Sequence, residues 1–179
     1  MANLPVPTPR TFTVSEIEVA TYLNAGVRDL GLFLLNVPAA FVTQSAAQNL
    51  ALNTWTAISF DQSVFDSYGG HSNSTNNTRY TAQVAGWYMV FGCVSFATTS
   101  TSGNRGTAVA KNGTRVQGAA GFGPALSGNP PTLPSPPTIV FLAAGDYVEV
   151  YGYSTVAMSP GTNSSSDLDS SMTVVWLHS

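Results

Sequence analysis

The alternation of apolar and polar positions is clearest over Arg79–Phe96, where a short strand, a break at Gly86 and a long aromatic-rich strand follow in succession. Gly86 admits a bend or bulge that residues with a Cβ resist. Beyond it Trp87, Met89, Phe91 and Cys93 share one face, and Tyr88, Val90, Val94 and Phe96 share the other. Both faces are largely apolar, so the pattern predicts a strand buried between two layers at the centre of a sandwich.

From residue 39 onward the chain reads as β. The pattern predicts strands at Phe41–Ser45, Trp55–Asp61, Arg79–Val84, Trp87–Thr98, Thr107–Lys111, Thr114–Ala119, Thr138–Ala143, Tyr147–Ser154 and Met172–His178. Asn112-Gly113 is a strong hairpin signal of the type I′ kind, and Gly145-Asp146 marks a second tight turn. Longer polar or Pro-rich connections span Tyr68–Thr78, Phe122–Pro137 and Ser159–Ser171. Mixed short and long loops suit a jelly roll better than a meander barrel, and there is no internal repeat. The expected fold class is mostly β, a jelly-roll sandwich over residues 39–179 behind an extended arm and one short helix over residues 1–38.

Within that leader, Pro5, Pro7 and Pro9 make residues 1–14 an extended arm. A helix is predicted from Ser15, because Ser15-Glu16-Ile17-Glu18 has the form of a capping box and its acids suit the helix dipole. Ala20, Leu23, Val27, Leu30 and Leu34 follow at the spacing of a short coiled-coil seam, and Pro38 ends the helix. Gly26 and Gly31 each weaken it by about 1 kcal/mol, so it must lean on a partner. One helix lying on its own sheet and a trimeric bundle both satisfy that need.

Composition changes the picture. Only 8% of the 179 residues are charged, six basic and nine acidic, while 44% are hydrophobic; a soluble domain usually carries about 25% charged residues. So few charges suggest that much of the single chain's surface is buried in an oligomer. A monomer with a Ser/Thr/Asn-rich surface is the alternative. A net charge of −3 provides no basic stripe for nucleic acid and no polybasic membrane patch. No run of eighteen apolar residues forms a membrane span, and Met1–Arg10 lacks the features of a secretory signal. Cys93, the single cysteine, is expected to be a small core residue.

Trp55–Phe60 with Asp61, Arg79-Tyr80-Thr81 leading into Gly86-Trp87-Tyr88, Lys111-Asn112-Gly113, the stretch Leu142–Val148 and the terminal strand Met172–Leu177 stand in an order that resembles a C1q/TNF-like domain over residues 45–179. The resemblance implies a ten-stranded jelly roll that trimerises through aromatic and aliphatic faces. On this chain the core and interface candidates are Trp87, Tyr88, Phe91, Tyr147, Tyr151 and Trp176.

The leader resembles another group. Pro9-Arg10-Thr11-Phe12, Val14-Ser15-Glu16, Thr21-Tyr22-Leu23-Asn24 and Val27-Arg28-Asp29 are similar to a leader on virion proteins of tailed phages infecting actinobacteria, with Phe12 and Ser15 where such leaders carry Trp and Gly. This implies a virion structural protein exposed on the particle surface, with Pro9, Arg10, Phe12, Leu23, Val27, Leu30 and Leu34 as attachment candidates. Phage capsid or tail proteins are the partners it implies. A bacterial C1q-like carbohydrate-binding or adhesion module is the alternative.

Candidate chemistry adds little. His71 and His178 show no metal-ligand spacing, and no nucleophile elbow, phosphate loop or dinucleotide fingerprint is present. A hydrolase is thereby disfavoured, and no cofactor is implied. Asp61, Asp66 and His71 cluster in sequence, as do Asp167 and Asp169, but two carboxylates are too few for a Ca²⁺ site. Four sequons, at Asn73, Asn76, Asn112 and Asn163, mark polar loops. If a ligand such as a host surface glycan binds, Tyr68, His71, Asn73 and Asn76 in the amide- and hydroxyl-rich loop are the candidates. The connection bearing Pro124, Pro130, Pro131 and Pro134 is the other loop stiff enough to present a fixed shape.

Overall fold

The computed structural model describes residues 5–9, 11–17, 19–126, 131–163 and 168–179. Arg10, Glu18, Pro130 and Asp167, which the sequence singled out, lie outside them. The helical elements are α1 (Ala20–Leu23) and α2 (Asp29–Leu35), joined by a π turn over Asn24–Arg28. The strands are β1 (Ala39–Thr43), β2 (Thr56–Ala57), β3 (Gln62–Asp66), β4 (Arg79–Thr81), β5 (Gly86–Ser95), β6 (Asn104–Lys111), β7 (Thr114–Pro124), β8 (Thr132–Pro134), β9 (Thr138–Leu142), β10 (Tyr147–Ser154) and β11 (Ser171–His178).

These strands form two antiparallel sheets. The first is six-stranded, β3-β1-β11-β5 with β8 and β9 both pairing the far side of β5. The second is five-stranded, β10-β6-β7 with β2 and β4 both pairing the near side of β10. Tyr88, Val90, Val94 and Phe96 point inward from the first sheet and meet Val109, Val148 and Val150 of the second, and all are fully buried. Gly92 leaves no room for a side chain: a Cβ there would stand 2.6 Å from Val150 of the second sheet and 2.4 Å from the Ser171 carbonyl of the neighbouring strand.

The turns carry much of the register. Asn112 and Gly113 adopt φ of 49° and 78°, as the predicted type I′ hairpin requires. The Asp146 carboxylate ties this hairpin to the Gly145 turn: it pairs with Lys111 Nζ at 2.8 Å and accepts from Asn112 Nδ2 at 2.8 Å and the Ala143 N–H at 3.0 Å. Lys111 and these donors hold its carboxyl down to about 2.

Several expectations need correction. The odd-numbered face of β5 is not buried: Trp87 is 40% exposed, and Met89, Phe91 and Cys93 are half-buried. The second sheet covers one side of the first, and no layer among the described residues covers the other. The helix does not start at Ser15, whose φ of 69° is left-handed and incompatible with entry into a right-handed turn. Instead the Glu16 carboxylate accepts from the Thr13 N–H at 3.1 Å, closing a separate turn, and regular helix begins at Ala20. The π turn around Gly26 breaks the seam, so Leu23, Val27 and Leu34 remain exposed and Phe33 is the buried residue of α2, edge-on to Trp176 at 4.9 Å. Of the two supports that the sequence left open for the helix, its own sheet or a trimeric bundle, the sheet takes up one side chain, Phe33.

Strands β3 and β8 were not expected, because both are short edge pieces without a strong alternation. β7 runs on to Pro124, into what reads as a loop, because its glycines and alanines still pair with β6. Trp55–Asp61 and Arg79–Val84 contain only the short ladders β2 and β4.

Gly86 supports the expected break: its φ is 154°, and the register between β5 and β11 shifts beside it, between Trp176 and His178. A Cβ there would stand 2.3 Å from Trp176 Nε1 and 2.6 Å from the His178 carbonyl. Gly86→Ala is expected to cost at least about 2 kcal/mol, read as a lower midpoint in chemical denaturation; an unchanged midpoint would mean the bulge tolerates a side chain.

Candidate functional site

Two surfaces stand out, one apolar and one polar. The apolar one is the outer face of the first sheet. Ladder register places Phe141 beside Trp87, then Ile139, Met89, Val175 and Ala39 in one row, and Phe91, Thr173, Phe41 and Phe65 in the next. No charged side chain stands in these rows. Ile139 is 61% exposed, Phe65 53% and Phe141 43%. Soluble monomers seldom leave so continuous an apolar sheet face to water.

The outer face of the second sheet is finished differently. Glu149 is 7% exposed and accepts from Thr78 Oγ1 at 2.6 Å and from the Tyr151 hydroxyl at 3.1 Å. Burial, followed by the Glu149 charge, pushes the Tyr151 phenol up to about 12. Arg79 stacks over Tyr147 at 4.5 Å, and Arg115 over Trp55 at 4.7 Å. Trp55, Tyr153 and Phe122 lie against one another above Gly106, whose missing Cβ leaves room for the rings. Here polar groups find partners inside the chain.

The six aromatic candidates therefore separate. Tyr88 and Trp176 are in the core of the single chain, with the Tyr88 hydroxyl donating to the Val84 carbonyl at 2.6 Å. Trp87 and Phe91 belong to the uncovered face, and Tyr147 and Tyr151 lie on the opposite side of the sandwich. Ile139, Phe141, Phe41 and Phe65 were missed; alternation within Thr138–Ala143 and Phe41–Ser45 was the available signal. Among the attachment candidates, Pro9, Phe12, Leu23, Val27 and Leu34 are exposed and Leu30 is half-buried.

The polar surface is a groove of about 300 Å³ lined by Gly69, Gly70, His71, Asn76, Arg79 and Gln83, among others. It coincides with part of the predicted ligand loop. The Asp66 carboxylate organises that loop by accepting from the backbone N–H of Tyr68, Gly70 and His71 at 3.2, 3.2 and 2.9 Å. The His71 ring lies between two carbonyls, with Nδ1 2.9 Å from Arg79 O and Nε2 3.1 Å from Phe60 O. Tyr68 is buried beneath, and Asn73 accepts from Ser63 Oγ at 2.7 Å. Burial raises the neighbouring Tyr80 phenol well above its ordinary range. Asp61 is also engaged, by the Ser45 N–H and hydroxyl; burial raises its carboxyl, but these bonds outweigh that and leave it lowered. Among the described residues, no three His, Cys, Asp or Glu side chains gather as a metal site would require.

No protein-family model matches the sequence, and no curated protein matches it. Solved structures do. The globular domain of zebrafish complement 1qA protein superposes with a TM-score of 0.55 at 15% identity, over 79% of this chain and 97% of that one. Murine APRIL at pH 5.0 gives 0.56 at 14% identity, over 77% and 98%, and at pH 8.0 gives 0.55 at 15%, over 77% and 98%. The fold is a C1q/TNF-like jelly roll. At these identities the likeness concerns the fold alone, and the functional reading rests on the two surfaces above.

Because both ring nitrogens of His71 face backbone carbonyls, His71→Ala is expected to destabilise the protein by roughly 1–3 kcal/mol. Urea denaturation measures this; full retention of stability would remove His71 from the loop's framework.

Proposed function

We propose that this chain is a non-enzymatic structural protein of a phage particle, a homotrimeric C1q/TNF-like head attached through its N-terminal segment. The single observation that carries the self-association is the uncovered outer face of the first sheet, with its rows of Trp87, Met89, Phe91, Phe41, Ile139 and Phe141. Charge scarcity across the chain points the same way. A threefold ring uses heterologous contacts, so the apolar face of one copy rests on a different surface of the next, and the ring closes.

The particle attachment is supported by the leader's likeness to phage virion leaders and by the exposed Leu23, Val27 and Leu34 that the head does not cover. A threefold head suits a capsid threefold site, as a decoration protein, and equally a tail-fibre tip. Copy number separates them: tens to hundreds of chains per particle for decoration, a small multiple of three for a fibre. The groove around His71 and Asn76 is the surface such a head would offer a host glycan, being rich in hydroxyl, amide and backbone groups.

Two outcomes test this reading. The double variant Ile139→Asp/Phe141→Asp changes exposed side chains, so it should keep the β-rich circular dichroism spectrum yet run as a single chain in light scattering. Retention of the trimer mass would take the sheet face out of the contact. Removing residues 1–37 should leave a folded head that no longer joins the particle, measured by mass spectrometry of purified virions; normal incorporation would show that the leader is not the anchor.

A further inference from the structure

Asn112-Gly113 is the one place in the sequence where a glycine follows an asparagine. With no Cβ beside it, the glycine nitrogen is unshielded and can attack the asparagine side chain. The Gly113 nitrogen bonds to Asn112 Cγ and gives up its proton, the Cγ–Nδ2 bond breaks, and Nδ2 leaves as ammonia. Water then opens the cyclic imide at either carbonyl, leaving an aspartate or an isoaspartate. The pair lies at the exposed tip of the β6–β7 hairpin, open to the water that this requires.

The fold restrains the amide that this chemistry must move. Asn112 Oδ1 accepts from the Tyr147 N–H at 2.9 Å, and Asn112 Nδ2 donates to Asp146 Oδ1 at 2.8 Å. The Asn112 N–H in turn donates to the Tyr147 carbonyl at 2.9 Å. Both ends of the side-chain amide are thus tied to the Gly145 turn, and Cγ cannot swing onto the Gly113 nitrogen while these bonds hold. Asp146 is itself fixed, since its other oxygen accepts from Lys111 Nζ at 2.8 Å and from the Ala143 N–H at 3.0 Å. The Lys111 and Asn112 side chains hold its carboxyl down to about 2, so at neutral pH it is an acceptor with no proton for a departing nitrogen.

We infer that Asn112 is a guarded deamidation site, stable only while the Asp146 carboxylate holds its amide, and that deamidation breaks the tie between the two turns. Asp146 Oδ1 meets an N–H in the intact chain. An aspartate at 112 would instead set one carboxylate oxygen against another, with no proton between them at neutral pH. An isoaspartate would add a backbone methylene and lose the type I′ geometry that the φ values of 49° and 78° define. Either product loosens the hairpin from the β9–β10 connection. This site is independent of the self-association and particle attachment proposed above.

The test incubates the full chain, and separately the peptide Ala110–Val116, in warm neutral buffer. Mass spectrometry of the digested protein follows the amide-to-acid mass gain at residue 112. Asn112 in the intact chain should convert at least about tenfold more slowly than in the peptide, because the reactive state first loses a hydrogen bond to a charged group. Asp146→Ala should remove most of that protection. Because this change also releases Lys111, Lys111→Met is the control: it removes the same ion pair, leaves the bonds to Asn112 in place and should keep the unsubstituted rate. Asn112→Asp, which reproduces one product, should lower the urea midpoint. Conversion in the intact chain as fast as in the peptide would overturn the assignment, and this comparison decides even if Asp146→Ala fails to fold. An unchanged rate in Asp146→Ala, or an equal acceleration in Lys111→Met, would overturn it too. An unaltered urea midpoint in Asn112→Asp would overturn the loosening of the hairpin.

Discussion

A sandwich of two sheets can cover only one side of each, and the consequences of that limit are concentrated on β5. Tyr88, Val90, Val94 and Phe96 are sealed against Val109, Val148 and Val150 of the second sheet, while Trp87, Met89 and Phe91 project from the same strand with no layer above them. Fully burying a side chain of this size contributes about 1.5–3 kcal/mol relative to leaving it in water, so a row of them left outside is a large unrealised stabilisation. Under the proposed self-association the two sides of the strand serve two assemblies, one inside the chain and one between chains.

The two outer faces of the molecule illustrate the difference. On the second sheet, Glu149 is held by Thr78 and Tyr151, and Arg79 and Arg115 cover aromatic rings. That surface is complete within one chain. On the first sheet the corresponding positions are Ile139, Phe141, Phe41 and Phe65, whose ladder neighbours are Met89, Trp87 and Thr173 of the same open face and, for Phe41 and Phe65, each other. The exposed apolar side chains of the helical leader present a separate problem, since the head takes up Phe33 and leaves Leu23, Val27 and Leu34 in water.

How much of this was legible in the sequence depended on where each residue's partner lies. The Asn112-Gly113 hairpin, the Gly86 break and the long strands β5, β10 and β11 were readable because their signals are local: a turn dipeptide, a missing Cβ, a sustained alternation. The edge strands β3 and β8 were not, because their pairing is set by neighbours distant in sequence. Ser15 looked like a helix cap, yet Glu16 and Thr13 close their own turn first. Apolarity on both faces of β5 was visible, but which face the chain itself covers is a property of the second sheet. His71 was readable as part of a polar loop, but the position of its ring between the Arg79 and Phe60 carbonyls was not, because both carbonyls lie outside that loop.

The proposed role of the uncovered sheet face requires that it meet other copies of the chain. The most direct measurement is the mass of the full-length protein in solution by light scattering at micromolar concentration. Three times the 18.7 kDa chain mass is the predicted result. A mass of one chain, with the β fold intact, would contradict it and leave the apolar face of the first sheet without its proposed role.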